Sequence, residues 1–586
     1  MNNKGVAIRY GDVAPEAKEN FNPTSDSAKF DTLAQLQQYN LNFPNYANPC
    51  ELYSVVLDGT AQAFPSVPEQ ANLGLWSEQI SNDDGTFTEP IILTLTSEGQ
   101  YSSQGFTFTF DTFNQIYATH INIKWYRNGE IIFDANDEAQ DKDFYPDNAF
   151  YFCRNQVENY NKVVITFYSL NMPKNRLKLR VIDYGYGAFF YGDELRGVKL
   201  IQEIDPISTQ ISINTADFTL DRKSDMEYSF QAKQPLSVYF NGELKATTFV
   251  KKSTRKAKRL WDIQSEDYIG LLDSIPYYGG IYTNKNAVEL LTDIFTVAKV
   301  PYSIDEVFAD EIVTGYIPYT TCRDALMQVS FAIQAVVDTS NVDYVNVYKL
   351  TADDEFAQEP IPLNRIMQGQ NFADEETVTG IEVTVHSYKP ITEIIDVYDA
   401  SESGTGQNIF VKFSEPLHDL SITNGEIVSH GTNYAIINAN ARCFLRGQQY
   451  EHTTQTRRKN NPVVLASEIE KVVSVENATL VSQYNIDNVI DKCYNWLIKT
   501  NTTNLKIVEG KHVQYGEPYK YGTGLKYGTG LKYGGKHSNI ITYDEKVNVG
   551  ENIKAETEYL GIVSGRLIKQ SFNLNGNIII KEAVLK

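Results

Sequence analysis

The chain has 586 residues, 42% of them apolar, with 74 acidic and 52 basic side chains and a formal net charge of −22. That length exceeds what one core supports and suggests about four domains, while the apolar fraction excludes a disordered chain. The negative charge opposes nonspecific binding to nucleic acid or to an anionic membrane, since both depend on cations neutralising phosphates.

In chain order, residues 1–75 are rich in Asn, Pro, Ala and Gln, with short apolar patches such as 52–57 and a candidate helical turn at 34–39. This composition fits an N-terminal arm that orders on a neighbour, and equally a small cap on the next domain. Between 76 and 192, alternating stretches at 91–96, 106–110, 121–125, 149–152, 163–167 and 177–182 predict short strands. Turn residues separate them, notably 81–85 and Arg127-Asn128-Gly129. That spacing predicts an antiparallel β-sandwich or jelly roll. Asp83, Asp84 and Glu89 are calcium-ligand types, but Asp-Asp-Gly is foremost a turn sequence, and no metal site is predicted.

Residues 193–265 read as a first β unit, with strands at 211–213 and 218–220 and a hairpin over 234–250 that turns at Asn241-Gly242. A basic patch runs from Lys251 to Arg259. Residues 266–350 read as a small α/β insert: a turn at 277–282, a helix over 287–298, a β-like stretch at 313–318, a second helix over 320–335 and a strand at 344–348. Val288, Leu291, Ile294 and Phe295 recur at helical spacing in the first helix; Ala325, Leu326, Val329, Ala332 and Ile333 do so in the second. Thr320 or Thr321 is a candidate cap, with Asp324 in the first turn.

A second β section is expected over 351–462, with strands at 378–385, 409–413 and 434–437. Residues 463–505 read as helical, at 465–472 and 486–500. The last unit, 506–586, has strands separated by glycine turns and suggests a small C-terminal β-barrel. Within it a six-residue repeat spans 521–535. The even period puts Tyr521, Leu525, Tyr527, Leu531 and Tyr533 on one side of an extended chain, a candidate interface on a hairpin or protruding loop. A flexible insertion grown by duplication explains the repeat equally well. Overall, 38 Tyr and 29 Phe against 5 Met predict a mainly β, multidomain protein.

The ordered succession from Tyr228 to Tyr348 (hairpin, basic patch, turn, helix, β stretch, helix, strand) resembles the baseplate-hub and tail-tip hub proteins of tailed bacteriophages. In those proteins a hairpin-rich barrel is interrupted by a small α/β domain. The resemblance extends over 195–586. It implies a structural virion protein, made in the host cytoplasm and carried in the tail, that connects the tail tube to the tip and lines the exit channel. It further implies a homotrimer, with tail-tube and other tail-tip or baseplate proteins as partners. In such a channel the acidity is useful to passing DNA, though it also serves solubility. Residues 76–192 resemble the discoidin-like or carbohydrate-binding sandwiches of phage tails. That resemblance implies the alternative of a host receptor- or glycan-binding tail protein, with Trp125, Tyr126, Tyr145 and Tyr151 as candidate sugar platforms. The same four residues also read as core and sheet-surface residues.

Catalytic signatures are absent from the sequence: no HExxH, GxSxG, Walker A or dinucleotide glycine pattern occurs. His418-Asp419 is a tempting pair, but neighbours on a regular strand point to opposite faces. No enzyme, cofactor or stable sequence-specific nucleic-acid binding is expected. Cysteines at 50, 153, 322, 443 and 493 are odd in number and far apart, so neither a disulfide framework nor a metal cluster is implied. No stretch has the length of a secretory or membrane-spanning segment, so a soluble product without membrane insertion is expected.

Overall fold

The computed structural model describes residues 5–27, 33–37, 45–47, 51–52, 61–63, 73–222, 230–240, 242–352, 359–462, 470–515, 538–543, 547–575 and 578–586. It is multidomain and mainly β. The chain divides into two compact units: 1–194 with 222–243, and 195–221 with 244–586.

The first unit is built on one long antiparallel ladder. Strand Thr86–Thr109 pairs with Phe150–Leu170, which pairs in turn with Ala118–Arg127. Alternation explains the register, because each rung on the inner face is apolar. Val163 lies between Leu95 and Trp125, Ile165 between Leu93 and Ile123, and Phe167 between Ile91 and Ile121. All nine are essentially unexposed and belong to one core with Phe106, Phe108 and Phe110. Large side chains of this kind contribute roughly 1.5–3 kcal/mol each on burial.

The short strands expected at 91–96 and 106–110 are two ends of a single 24-residue strand, and those at 149–152 and 163–167 are likewise one strand of 21 residues. Glycine and polar residues between them do not end the strands; they form β-bulges, with register shifts from Arg154 to Val157 and on to Tyr160. Gly105 is required there. It has φ +135°, and a Cβ would lie 2.0 Å from the carbonyl oxygen of Cys153. Conversely, 177–182 is divided into Arg176–Leu179 and Val181–Asp183, which pair with different strands. In the same unit Val6–Val13 pairs with Gly185–Tyr191 and Pro235–Phe240.

In the second unit an antiparallel sheet runs through Glu243–Arg255, Leu260–Glu266, Thr215–Asp221 and Leu195–Glu203. Leu195–Glu203 then pairs with Gly561–Asn575, so the C-terminal strands extend this sheet. Ile578–Leu585, Asn501–Tyr515 and Asn371–Asp374 complete the path. The α/β insert leaves the sheet after Glu266. Its helices Tyr268–Leu272, Ala287–Ala298 and Cys322–Ala332 pack around Leu290, Leu291, Ile294, Leu326 and Val329. Asn286 caps one helix by accepting from the Glu289 amide, and Thr321 caps the next by accepting from the Asp324 amide.

A second sheet follows, with Tyr434–Asn460 paired to Gly380–Asp399, Leu417–His430 and Gly406–Lys412. Helix Ile486–Leu497 buries Ile486, Val489, Ile490 and Cys493 against Ile381, Val383 and Val385 of that sheet. Of the helix expected at 465–472, all but the last three residues lie outside the described residues, and Val472 begins a strand, Val472–Val475, parallel to Gly380–Asp399.

Candidate functional site

Strand alternation decides which sandwich aromatics reach solvent. Trp125 has the parity of Ile121 and Ile123 and is fully buried, stacked on Phe106 with ring centroids 6.1 Å apart. It is therefore a core residue, and no sugar can reach its ring in the folded sandwich. Tyr126 points to the other face, half-buried, with the Lys162 ammonium 5.4 Å from its ring centre. Tyr151 is partly buried against the core, and burial pushes its phenol above the ordinary range. Tyr145 alone of the four is well exposed, at 65%.

Tyr145 is held in place by a residue that sequence reasoning missed. Its ring stacks on His120 at 4.9 Å, and His120 stacks on Tyr168 at 4.5 Å. The His120 imidazole also meets Asp143 at 2.9 Å. Beside this stack Asn122, itself buried, and the more exposed Lys124 bond Asp141 at 2.7 and 2.9 Å. Burial alone would raise the Asp141 carboxyl, but Asn122 and Lys124 outweigh it and bring the group below its usual value. An ordered, exposed tyrosine beside the half-exposed Asp143 carboxylate can stack on an apolar ring face and accept hydroxyl hydrogens. His120, Asn122 and Lys124 share the parity opposite to Trp125, the signal that would have identified this face from sequence.

The turn at 81–85 has its own partners. Asp84 accepts from the backbone and hydroxyl of Thr86, Asp83 pairs with Lys174 at 2.8 Å, and Gly85 sits at φ +84°. The interface candidates Tyr521, Leu525, Tyr527, Leu531 and Tyr533 lie outside the described residues.

Two histidine arrangements also differ from expectation. His418 and Asp419 do meet, at 2.9 Å, because Asp419 adopts φ +46° at a register shift and strand alternation fails there. His386 and His452, apart in sequence, are 2.9 Å apart across paired strands, and the second nitrogen of His386 faces the Glu476 carbonyl. Among the described residues no group of three or more His, Cys, Asp or Glu has metal-binding geometry.

Elsewhere in the first unit one buried charged cluster is structural. Asp183 is fully buried and takes hydrogen bonds from Arg9 and from Lys18, the latter at 2.8 Å. Burial would raise its carboxyl, but the two cations bring it down to about 2.

No protein-family pattern and no curated protein sequence matches the chain. Solved structures to which it is similar include tail and baseplate proteins. A 43 kDa tail protein of prophage MuSo2 from Shewanella oneidensis has a TM-score of 0.38 and 7% identity, over 68% of this chain and 95% of that one. A tail protein from Neisseria meningitidis MC58 has a TM-score of 0.37 and 9% identity, over 67% and 91%. A chain of the phage P2 baseplate in its activated conformation with calcium has a TM-score of 0.25 and 8% identity, over 79% and 98%. All three TM-scores lie below the level at which superposition alone establishes a common fold.

Proposed function

We propose that this chain is a structural protein of a phage-type tail, placed at the baseplate or tail-tip hub, where it connects the tail tube to the tip and lines the exit channel. The observation that carries this reading is the long-range closure of the second unit. Leu195–Glu203 pairs with Gly561–Asn575, so one sheet starts before the α/β insert and finishes at the far end of the chain. A β unit interrupted by a small α/β domain is the arrangement that the hub resemblance implies. In this reading the chain works by assembly rather than catalysis, as a homotrimer among tail-tube and tip proteins. Mass spectrometry of particles purified from the producing host tests it. The chain is expected in the tail at low stoichiometry, and its gene deletion is expected to block tip assembly; particles without the chain refute the reading.

The Tyr145–His120–Tyr168 stack favours a second reading, host-glycan recognition through the sandwich. A glycan array probed with the full chain and with Tyr145→Ala separates the two. Binding lost in the variant supports recognition, and no binding by either protein leaves the sandwich as decoration or an assembly contact.

A further inference from the structure

Three cations from distant parts of the sequence meet around one cavity of about 380 Å³ in the second unit. Helix Ile486–Leu497 brings Lys492, the segment after strand Val345–Tyr348 brings Lys349, and strand Gly561–Asn575 brings Arg566. Trp496 forms part of the wall. A second cavity, of about 400 Å³, shares Arg566 and adds Lys499 and Lys586. The ammonium groups of those two lysines lie 4.9 and 5.9 Å from the Trp496 ring centre. Five cations therefore gather around one tryptophan in a chain whose net charge is −22.

Among the described residues the acids nearby leave two of these cations, Lys349 and Lys492, outside any ion pair. Asp491 also lines the first cavity, but its carboxylate is held by Lys459 at 2.5 Å. Glu375 is bound to Lys586 at 2.7 Å. Among the described residues neither Lys349 nor Lys492 has a carboxylate within 4.0 Å. The Lys492 ammonium donates to the Gln334 carbonyl at 2.6 Å, which uses one of its three hydrogens. The Arg566 guanidinium is oriented by the carbonyls of Gly550 and Thr351, each at 2.7 Å. Burial lowers the Lys492 ammonium to about 8, and Arg566 and Lys349 push in the same direction against Asp205 and Cys493. Gathering like charges in a partly desolvated cavity costs stability unless an anion joins them.

We propose that this cavity binds a small polyvalent anion bearing phosphate or carboxylate groups, held between Lys349, Lys492 and Arg566 with Trp496 as its wall. The oxygens would accept charge-assisted hydrogen bonds from the free ammonium hydrogens. Because a bound anion favours the protonated lysine, binding takes up a proton at and above pH about 8 and weakens as Lys492 loses its charge at alkaline pH. The proposal does not depend on the tail reading.

The test titrates the full chain with tripolyphosphate and, separately, citrate at fixed ionic strength, read by calorimetry and tryptophan fluorescence. Saturable one-to-one binding is expected, with a dissociation constant of about 1 mM or tighter at neutral pH. Lys349→Gln and Lys492→Gln should each weaken it about tenfold, and raising the pH to about 9.5 should weaken it further. Trp496→Phe should remove the fluorescence change while binding persists, and Lys174→Gln, in the sandwich, should change nothing. If Lys492→Gln fails to fold, the exposed Lys349 remains the deciding variant. Absence of saturation up to about 10 mM overturns the proposal, as does equal affinity in wild type and the Lys349 variant.

Discussion

Replacing Trp125 by alanine separates the core and platform roles of the sandwich aromatics. Trp125 has no exposed surface, lies across from Val163 and stacks on Phe106, so truncation leaves a large cavity in the main core of the first unit. A buried Trp→Ala change costs about 3–5 kcal/mol, a large part of the roughly 5–15 kcal/mol that holds a domain folded. For a unit of this size that corresponds to a fall in Tm of about 6–20 °C. Tyr145→Ala removes a ring that is 65% exposed, and only its stacking on His120 is lost, about 1 kcal/mol or less. Calorimetry of the full chain, with near-UV circular dichroism to follow aromatic packing, measures both variants. A Trp125→Ala protein that melts within about 2 °C of wild type refutes the core assignment.

Asp183→Asn removes the buried carboxylate that Arg9 and Lys18 share, and chemical denaturation should show a loss of about 3–5 kcal/mol. Since the Asp183 carboxyl is held at about 2 in the folded state, its contribution is present above pH about 4 and disappears as pH falls through about 2; acid melts of the variant should lack this component. Asp267 behaves oppositely: burial pushes its carboxyl up to about 7 against bonds from Thr339, Asn214, Gly270 and Ile269, so its own contribution to stability is fullest below pH about 4 and is lost as pH rises through about 7. Denaturation midpoints of Asp267→Asn across that range should be flatter than wild type, and an unchanged slope contradicts the assignment. Leu200 and Phe572 are cross-strand partners in the closing ladder, so a double-mutant cycle with alanine should give a coupling of about 0.5–3 kcal/mol; strict additivity argues against that pairing.

Local features were legible in the sequence where their cause is local. The helix Ala287–Ala298 and the cap at Thr321 follow from apolar spacing and a side-chain oxygen just before the helix start, whereas the Asn286 cap was not singled out. Strand ends were harder to read, because Gly105 and the polar stretch before it carry turn chemistry yet serve as a bulge inside one strand. The pairing of Leu195–Glu203 with Gly561–Asn575 has no local signature, since neither strand's composition encodes its partner. Parity already placed Trp125 with Ile121 and Ile123, so its burial was readable, whereas the supporting roles of His120 and Tyr168 needed the register between strands. The cationic cavity was hidden for a similar reason: Lys349, Lys492 and Arg566 converge only through tertiary packing.

The tail-hub account is tested most directly by a cryo-electron microscopy reconstruction of the intact particle. It predicts three copies of residues 195–586 around the axis at the distal end of the tail tube, with their β units facing the channel. A tip whose channel is lined by other chains, with this one absent or attached only at the periphery, contradicts it.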